Sequence, residues 1–201
     1  MATTGSNARG FVPAKRLDGQ PPAIARLYPT GSNLISLFIG DSVYLNSNRK
    51  VQAFYAQQVS ANSPAVLGVV VGTYDANKRP KTHAAGGALN ISTSTAGFVA
   101  VCDDPDALFE IEVSASLGPS QIGHFCSPVS GSPVSAAGRS GMKLSDTTVV
   151  TAAGHAFQIV SLAPSELDGL GGPNNNVLVR ISNHVWRRST RLQGPLEAAD
   201  A

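Results

Sequence analysis

Three aspartates stand close together at Asp103, Asp104 and Asp106, and they form the densest group of acidic side chains in the sequence. Neighbouring carboxylates repel one another unless a cation or a basic partner lies near, and carboxylate oxygens are ligands that Ca²⁺ takes. However, the acids occupy the first, second and fourth positions of the segment, no bidentate acid follows at the twelfth, and Pro105 removes a backbone amide. Aspartate caps amides and proline presets a turn, so the same residues are typical of a structural corner. We therefore predict a corner with no bound metal and no cofactor.

Two cysteines, Cys102 and Cys126, and four histidines are further side chains that could act as nucleophiles, bases or metal ligands. None of them has the spacing of a metal site or of a redox motif. Burial as free thiols is the prediction for both cysteines, and a disulfide between them is the alternative. A nucleophilic group could be assembled from Cys102, His124 and Asp104, although their spacing does not favour it. A cysteine-dependent hydrolase is therefore the weaker alternative, and we expect no catalytic residues.

The only tryptophan, Trp186, is followed by Arg187 and Arg188. Tryptophan and arginine dominate the energetic hot spots of protein interfaces, so this segment is a candidate contact. The alternative is a tryptophan that folds back as a lid on its own core and leaves the arginines in solvent. Nucleic acid is not expected as a partner, because the net charge is only +2 and no basic stripe with spaced aromatic residues is present.

The elements that position these residues are predicted to be short β-strands. An apolar strand at 97–102 leads into the acidic corner, and the next segment, 107–113, alternates apolar residues with Glu110 and Glu112. That period of two predicts a half-buried strand with a wet, negative face. The run 65–74 is apolar on both faces, which indicates a central strand or one covered by neighbours on both sides.

Similar short runs recur along the chain, and no segment has an amphipathic helical period over three turns. Charged residues make up only 14% of the chain, and 20 glycines and 13 prolines indicate frequent turns. The predicted fold is all-β, a small β-barrel or β-sandwich of about nine short strands with extended N- and C-terminal arms. The further predicted strands lie at 34–39, 42–45, 51–59, 124–129, 142–144, 155–162 and 177–183.

Three regions are predicted from these patterns: an extended N-terminal arm at 1–33, a β-domain at 34–184 and a C-terminal arm at 185–201. The first arm has no sustained period and mixes basic with apolar residues, so we expect a partner to order it. The basic ends and the acidic centre would complement each other between copies, within one chain, or not at all. The N-terminus lacks the features of a signal peptide and no apolar run is long enough to span a bilayer, so no membrane partner is expected.

Several segments together resemble the capsid decoration, or cement, proteins of tailed phages, which are encoded beside the major capsid protein. The specificity lies in their combination and order along most of the chain. The segments are Asn7-Ala-Arg-Gly-Phe11-Val-Pro, Arg16-Leu-Asp-Gly19, Gly40-Asp41-Ser-Val43, Leu67-Gly-Val-Val-Val-Gly72, Asp103-Asp-Pro-Asp106 with Phe109-Glu-Ile111, and Arg180-Ile-Ser-Asn-His184.

The resemblance implies a virion structural protein without catalytic activity, made in the host cytoplasm and placed on the outer surface of an icosahedral capsid. Its partners would be the major capsid protein and sister copies, most simply in a homotrimer, and it would stabilise contacts between capsid subunits. A host-surface or glycan-binding virion module is the alternative, although aromatic residues make up only 6% of the chain. The residues expected to contact the capsid or a sister copy are Arg9, Phe11, Val12, Lys15, Arg16, Leu17, Asp103, Asp104, Asp106, Trp186, Arg187 and Arg188.

Overall fold

The computed structural model of the chain describes residues 9–22, 25–31, 36–55, 64–81, 90–92, 96–115, 117–134, 137–151, 155–163 and 175–190. Predictions that concern residues 1–8, most of the glycine-rich loop before Asn90, and residues 191–201 lie outside these ranges. Twelve β-strands occur in the described part, with short 3₁₀ helices between some of them. The strands are β1 Val12–Arg16, β2 Arg26–Pro29, β3 Ser42–Leu45, β4 Val51–Ala53, β5 Val66–Tyr74, β6 Phe98–Cys102, β7 Ala107–Glu112, β8 Phe125–Cys126, β9 Pro128–Val129, β10 Lys143–Leu144, β11 Phe157–Leu162 and β12 Asn176–Ile181.

These strands form two five-stranded antiparallel sheets and one small two-stranded sheet. The first sheet has the order β1-β7-β12-β11-β8, the second has the order β2-β6-β5-β3-β4, and β9 pairs with β10. The all-β prediction is confirmed, and the arrangement is that of a sandwich. Neither sheet closes into a barrel in the described part, although one parallel bridge between Thr30 and Val51 brings the two ends of the second sheet together.

Strand β5 contributes to two separate hydrophobic cores. Val66 and Val69 pack in the larger core, which also contains residues of the first sheet. Leu67 and Val70 pack in a smaller core formed by the second sheet and its loops. The sequence prediction of a central strand with two apolar faces is thus confirmed, because β5 lies in the middle of its sheet with a core on each side.

Strand β7 has the predicted alternation, but its acidic face is not uniformly wet. Phe109 and Ile111 are buried in the larger core. On the other face, Glu112 is also buried, and its Oε1 lies 2.8 Å from Lys143 Nζ. The prediction of a solvated negative face was therefore wrong at this position, since a lysine from β10 covers and neutralises the carboxylate.

The predicted N-terminal arm is, in its described part, built into the sheets. Strand β1 pairs with β7 and strand β2 pairs with β6, each at the edge of a sheet. Phe11, which was expected to contact the capsid or a sister copy, is 1% exposed, and its ring centroid lies 4.5 Å from that of Phe157. The strands were missed because an edge strand needs only one partner and tolerates proline and charges, here Pro13 and Pro29. Val12, by contrast, is exposed.

The start of the predicted C-terminal arm is also in contact with the β-domain. Residues Val185–Thr190 form a 3₁₀ helix, and His184 just before it makes a β-bridge to Val66 of strand β5. The bridge at His184 attaches the end of the predicted β-domain to the second sheet, and the boundary at residue 185 stays a prediction.

Candidate interaction surface

The acidic corner connects the two sheets, because it links β6 of the second sheet to β7 of the first. Its turn is made as predicted: the Asp104 carboxylate accepts a hydrogen bond from the Asp106 amide at 2.9 Å, and the Ala107 amide donates to the Asp104 carbonyl at 3.1 Å. Side-chain capping of this kind replaces hydrogen bonds that the sheets cannot supply at a corner.

Two arginines from the ends of the described chain meet at this corner. Arg16 Nε lies 3.0 Å from Asp104 Oδ2, and Arg16 Nη2 lies 3.4 Å from Asp106 Oδ2. The guanidinium of Arg187, in the C-terminal 3₁₀ helix, contacts the other oxygen of Asp106. Asp106 is thus held between a residue of β1 and a residue that follows β12.

Asp103 has its own pair of partners, both from β2. The Tyr28 hydroxyl donates to Asp103 Oδ2 at 2.5 Å, and Arg26 Nη1 lies 3.4 Å from the same oxygen. Burial, together with the hydrogen bond to the Asp103 carboxylate, raises the pKa of Tyr28 to about 12. Tyr28 therefore remains a neutral donor at physiological pH, and this orients the carboxylate of a nearly buried aspartate.

These contacts form what we call the corner network: three aspartates and three arginines that join β1, β2, the corner and the C-terminal 3₁₀ helix. The sequence left open whether its basic ends pair with the acidic centre within one chain or between copies. For the corner the pairing is intramolecular. The repulsion expected among the three carboxylates is balanced by three guanidinium groups. The corner network consists of Asp103, Asp104, Asp106, Arg16, Arg26 and Arg187.

His184 fixes the segment that carries Trp186 and Arg187. Its side chain is fully buried, and its Nδ1 accepts a hydrogen bond from the Trp186 amide at 3.1 Å. Burial lowers the pKa of His184 to about 4, so the ring is neutral at physiological pH and can act as that acceptor. His184 thus positions the beginning of the 3₁₀ helix.

Three large apolar side chains that adjoin the network arginines in the sequence are exposed. Leu17 and Leu27 are each 46% exposed, and Trp186 is 51% exposed. Each is the direct neighbour in sequence of an arginine of the network. Trp186 is therefore not a lid on the core, which was one of its two interpretations. We call Leu17, Leu27, Trp186 and the three network arginines the corner surface.

Leu27 is the member of this surface that the sequence analysis missed. It lies on β2, a strand that the sequence did not predict because it is short and ends in a proline. One signal was present: Arg26-Leu27 repeats the basic-apolar pair Arg16-Leu17, and both pairs lie in the region predicted as an arm. Because β1 and β2 flank β7 and β6, the two pairs lie on either side of the corner.

The remaining candidate residues have separate locations. Arg9 lies 3.7 Å from Glu110, and Lys15 is an exposed residue of β1. The side chain of Arg188 lies outside the described part of the chain. Phe11 is buried and belongs to the larger core.

Both cysteines are buried free thiols, as predicted. Burial raises the pKa of the Cys102 thiol above its ordinary value and that of Cys126 to about 12. A cysteine nucleophile needs the opposite, a lowered pKa in a partly exposed site. Within the described ranges there is no group of three or more His, Cys, Asp or Glu side chains that could hold a metal ion. None of the described helices is long and apolar enough to cross a bilayer.

No protein-family model matches the chain, and no curated protein and no solved structure is significantly similar to it. The functional interpretation therefore rests on the residues, on their geometry and on the resemblance noted in the sequence.

Proposed function

We propose that the chain is a virion structural protein that binds the outer surface of an icosahedral capsid and stabilises contacts between major capsid subunits. The observation that carries the proposal is the corner surface, with its exposed leucines and tryptophan beside ion-paired arginines. The resemblance to capsid decoration proteins supplies the identity of the partner. Sister copies on the same shell are the second partner that the resemblance implies, in a homotrimer.

The composition of the corner surface favours protein binding. Trp and Arg are enriched in interface hot spots, where apolar side chains provide the desolvated centre. In the corner surface, Trp186 and the two exposed leucines would provide that centre, and the arginines would form its polar rim. Scattered single apolar residues on a surface need no explanation, but here each of the three directly adjoins an arginine of the corner network in the sequence.

The corner network also prepares this surface for binding. Arginine side chains that are already held by carboxylates lose less conformational freedom when a partner docks, which lowers the entropic cost of association. Arg16 contacts two aspartates, and Arg187 contacts one of them from the other side. We therefore expect the surface to have the same arrangement in free and bound protein.

Three of the segments that carry the resemblance meet other such segments in space. The Phe11 amide donates to the Gly40 carbonyl at 2.9 Å, and Arg16 pairs with the Asp103–Asp106 corner. In the third case, His184 is bridged to the strand that contains Leu67. These residues thus define one folded unit, which supports their interpretation as a common structural pattern.

The proposal changes the role given to the N-terminal region. Residues 12–16 and 26–29 are strands, so the part of the region that grips a capsid would be its outward side chains at Leu17 and Leu27. A deletion of residues 2–30 would be a fair test only if this region were a detachable arm. In this structure it would remove two strands and the buried Phe11. Point substitutions on the corner surface are therefore the appropriate test.

The alternative, a glycan-binding or host-surface module, is favoured by one observation, the exposed indole of Trp186 on which a sugar ring could stack. The two functions differ in their target. A capsid-binding protein co-sediments in a saturable way with DNA-free shells of the phage's major capsid protein and does not adhere to intact host cells. Adherence to cells without binding to shells would favour the alternative and contradict the proposal.

A further inference from the structure

Four carboxylates are buried in the described part of the chain, and one of them differs from the other three. Asp103 and Asp104 pair with arginines, and Glu112 pairs with Lys143. Asp41 is as deeply buried as these, and no described basic side chain forms an ion pair with it. Its Oδ2 accepts the Phe38 amide at 2.8 Å.

The carboxylate of Asp41 lines an open cleft of about 220 Å³ that contains no other described charge. Tyr55, Ser130 and Ser140, which carry hydroxyl groups, also line the cleft, and the Ser140 side chain hydrogen-bonds to the carboxylate. The remaining wall is apolar and includes Phe38, Pro133 and Met142. A buried acid, several acceptor oxygens and an apolar wall are thus combined in one concave site, which is the usual composition of a ligand pocket.

We propose that this cleft binds a primary alkylammonium group, such as the end of a lysine side chain, against the carboxylate of Asp41. The ammonium would supply the cation that the other three buried acids already have. Its three N–H groups would be shared between one carboxylate oxygen and the surrounding hydroxyls, and its aliphatic stem would lie along Phe38 and Met142.

An ammonium fits this cleft better than a guanidinium. Arginine binds carboxylates best through two parallel hydrogen bonds, which requires both oxygens in one plane and free. One oxygen of Asp41 already accepts the Phe38 amide. A compact ammonium needs only one oxygen and can direct its other protons to hydroxyl groups, so the site selects lysine-like cations over arginine-like ones.

The titration of Asp41 is consistent with this role. Burial raises the pKa of Asp41 to about 6, against hydrogen bonds from Ser140 and Phe38 that lower it. The carboxylate is thus mostly ionised at physiological pH and mostly protonated at pH 5. Among the described residues that line the cleft, Tyr55 is the only other titratable group, and burial raises its pKa, so its hydroxyl stays neutral over this range.

The test titrates the full chain with n-butylammonium and follows the amide and methyl resonances of the cleft residues by NMR. At pH 7.5 we expect saturable shifts confined to the cleft, with a Kd on the order of 10 mM. Two probes serve as controls: n-butanol, which has the same stem without charge, and tetramethylammonium, which has charge without N–H donors. Both should bind at least about tenfold more weakly, and n-butylammonium should bind more weakly at pH 5.

The carboxyl carbon of Asp41 gives a second measurement that needs no substitution. Saturating n-butylammonium should lower the pKa of Asp41 by on the order of one unit, because a neighbouring cation favours the ionised form. The Asp41→Asn variant, which keeps an acceptor for the Phe38 amide, should fold and lose the binding. An unchanged pKa of Asp41, equal binding of n-butanol, or equal binding by a folded Asp41→Asn variant would each overturn the proposal.

Two further probes identify the source of the ammonium. A capped lysine, N-acetyl-lysine N-methylamide, represents a side chain on another protein, and spermidine represents a free polyamine. Whichever binds more tightly than n-butylammonium assigns the site to that source. The cleft does not include the corner surface, so a failure of this test leaves the capsid proposal intact, and a failure to bind capsids leaves this site intact.

Discussion

Arg16 Nε lies 3.0 Å from Asp104 Oδ2, and this ion pair fastens the first strand of the chain to the corner that joins the two sheets. The Asp104 side chain is almost completely buried, whereas about a third of the Arg16 side chain is exposed. The arginine therefore covers a charge that has lost its water, while part of its own surface remains available to a partner.

Replacement of Arg16 by methionine should lower the free energy of unfolding by about 2 kcal/mol, because it removes a cation that pairs with a buried carboxylate. The matched variant is Arg26→Met, which removes a partner of Asp103. The side chain of Arg26 is about two-thirds exposed, so its pair is screened by water and its loss should cost less than about 1 kcal/mol. Urea unfolding of both variants measures the difference, and equal losses would contradict this ranking.

Phe11→Ala should destabilise the protein by about 3–5 kcal/mol, as expected for an aromatic ring removed from a packed core. The ring stacks on Phe157 and meets the edge of Phe109 at 6.4 Å between centroids. Its neighbour Val12 provides the control, because it is exposed, and Val12→Ala should change stability by no more than about 0.5 kcal/mol. If Phe11→Ala were as mild as the control, residue 11 would belong to a detachable arm after all.

The contrast between Phe11 and β5 shows what the sequence could predict. The alternation in β7 and the doubly apolar run of β5 were readable because each strand buries a whole face, which leaves a pattern over several residues. Strands β1 and β2 lie at sheet edges and bury individual side chains only. Phe11 stands alone among glycine, proline and basic residues, so no periodic pattern indicates that it is buried. Its burial depends on contacts with residues distant in the sequence.

The candidate site was predictable in part for a similar reason. The turn at Asp104 is local, and the sequence predicted its capping chemistry. The partners of the three aspartates come from distant segments, so sequence could indicate only that basic residues were concentrated near both ends. Which arginine meets which acid follows from strand order, since β1 and β2 flank the two strands that the corner connects.

Gly10→Ala should be much more destabilising than Gly19→Ala, although both glycines have positive φ. At Gly10, with φ of +65°, an added Cβ would lie 2.5 Å from the Gly40 carbonyl oxygen and 2.6 Å from Ser140 Cβ. At Gly19, with φ of +83°, it would meet no atom within 4 Å. We expect about 1 kcal/mol at Gly19 from backbone strain and about 3 kcal/mol at Gly10 from strain plus overlap. Thermal unfolding measures the loss of stability in both variants. Similar losses would contradict the close approach of Gly10 to Gly40 and Ser140.

Acidification should lower the free energy of unfolding, and part of this loss should come from His184. Its pKa is about 4 in the folded protein and about 6.5 when exposed, so below pH 6.5 the unfolded chain takes up a proton that the folded chain does not. The contribution of His184 to the free energy of unfolding is complete above pH 6.5. It falls by about 3 kcal/mol as the pH falls towards 4. Replacement by asparagine, which keeps an acceptor for the Trp186 amide, should remove this loss.

Asp41 should change the free energy of unfolding in the direction opposite to His184, over nearly the same pH range. Its pKa is about 6 folded against 3.8 when exposed, so between these values the folded protein holds a proton that the unfolded chain has released. Its contribution is present at low pH and is lost as the pH rises through 6, again by about 3 kcal/mol. Relative to wild type, Asp41→Asn should lose more stability from pH 7 to pH 4, and His184→Asn should lose less. Urea unfolding at four pH values between 4 and 7 tests this, and identical slopes in the three proteins would contradict it.

The most direct test of the central claim compares two surface variants for binding to DNA-free shells of the major capsid protein. One combines Leu17→Ser, Leu27→Ser and Trp186→Ser on the corner surface. The matched control combines Ile122→Ser and Val134→Ser, which are similarly exposed apolar residues with no partner in the corner network. Both variants should have urea unfolding midpoints close to that of wild type, because substitutions of exposed residues change stability little. We predict that the first loses at least about 100-fold in affinity by quantitative co-sedimentation, about 3 kcal/mol in binding free energy, while the control binds like wild type. Wild-type occupancy of the shell by the folded corner-surface variant would contradict the account.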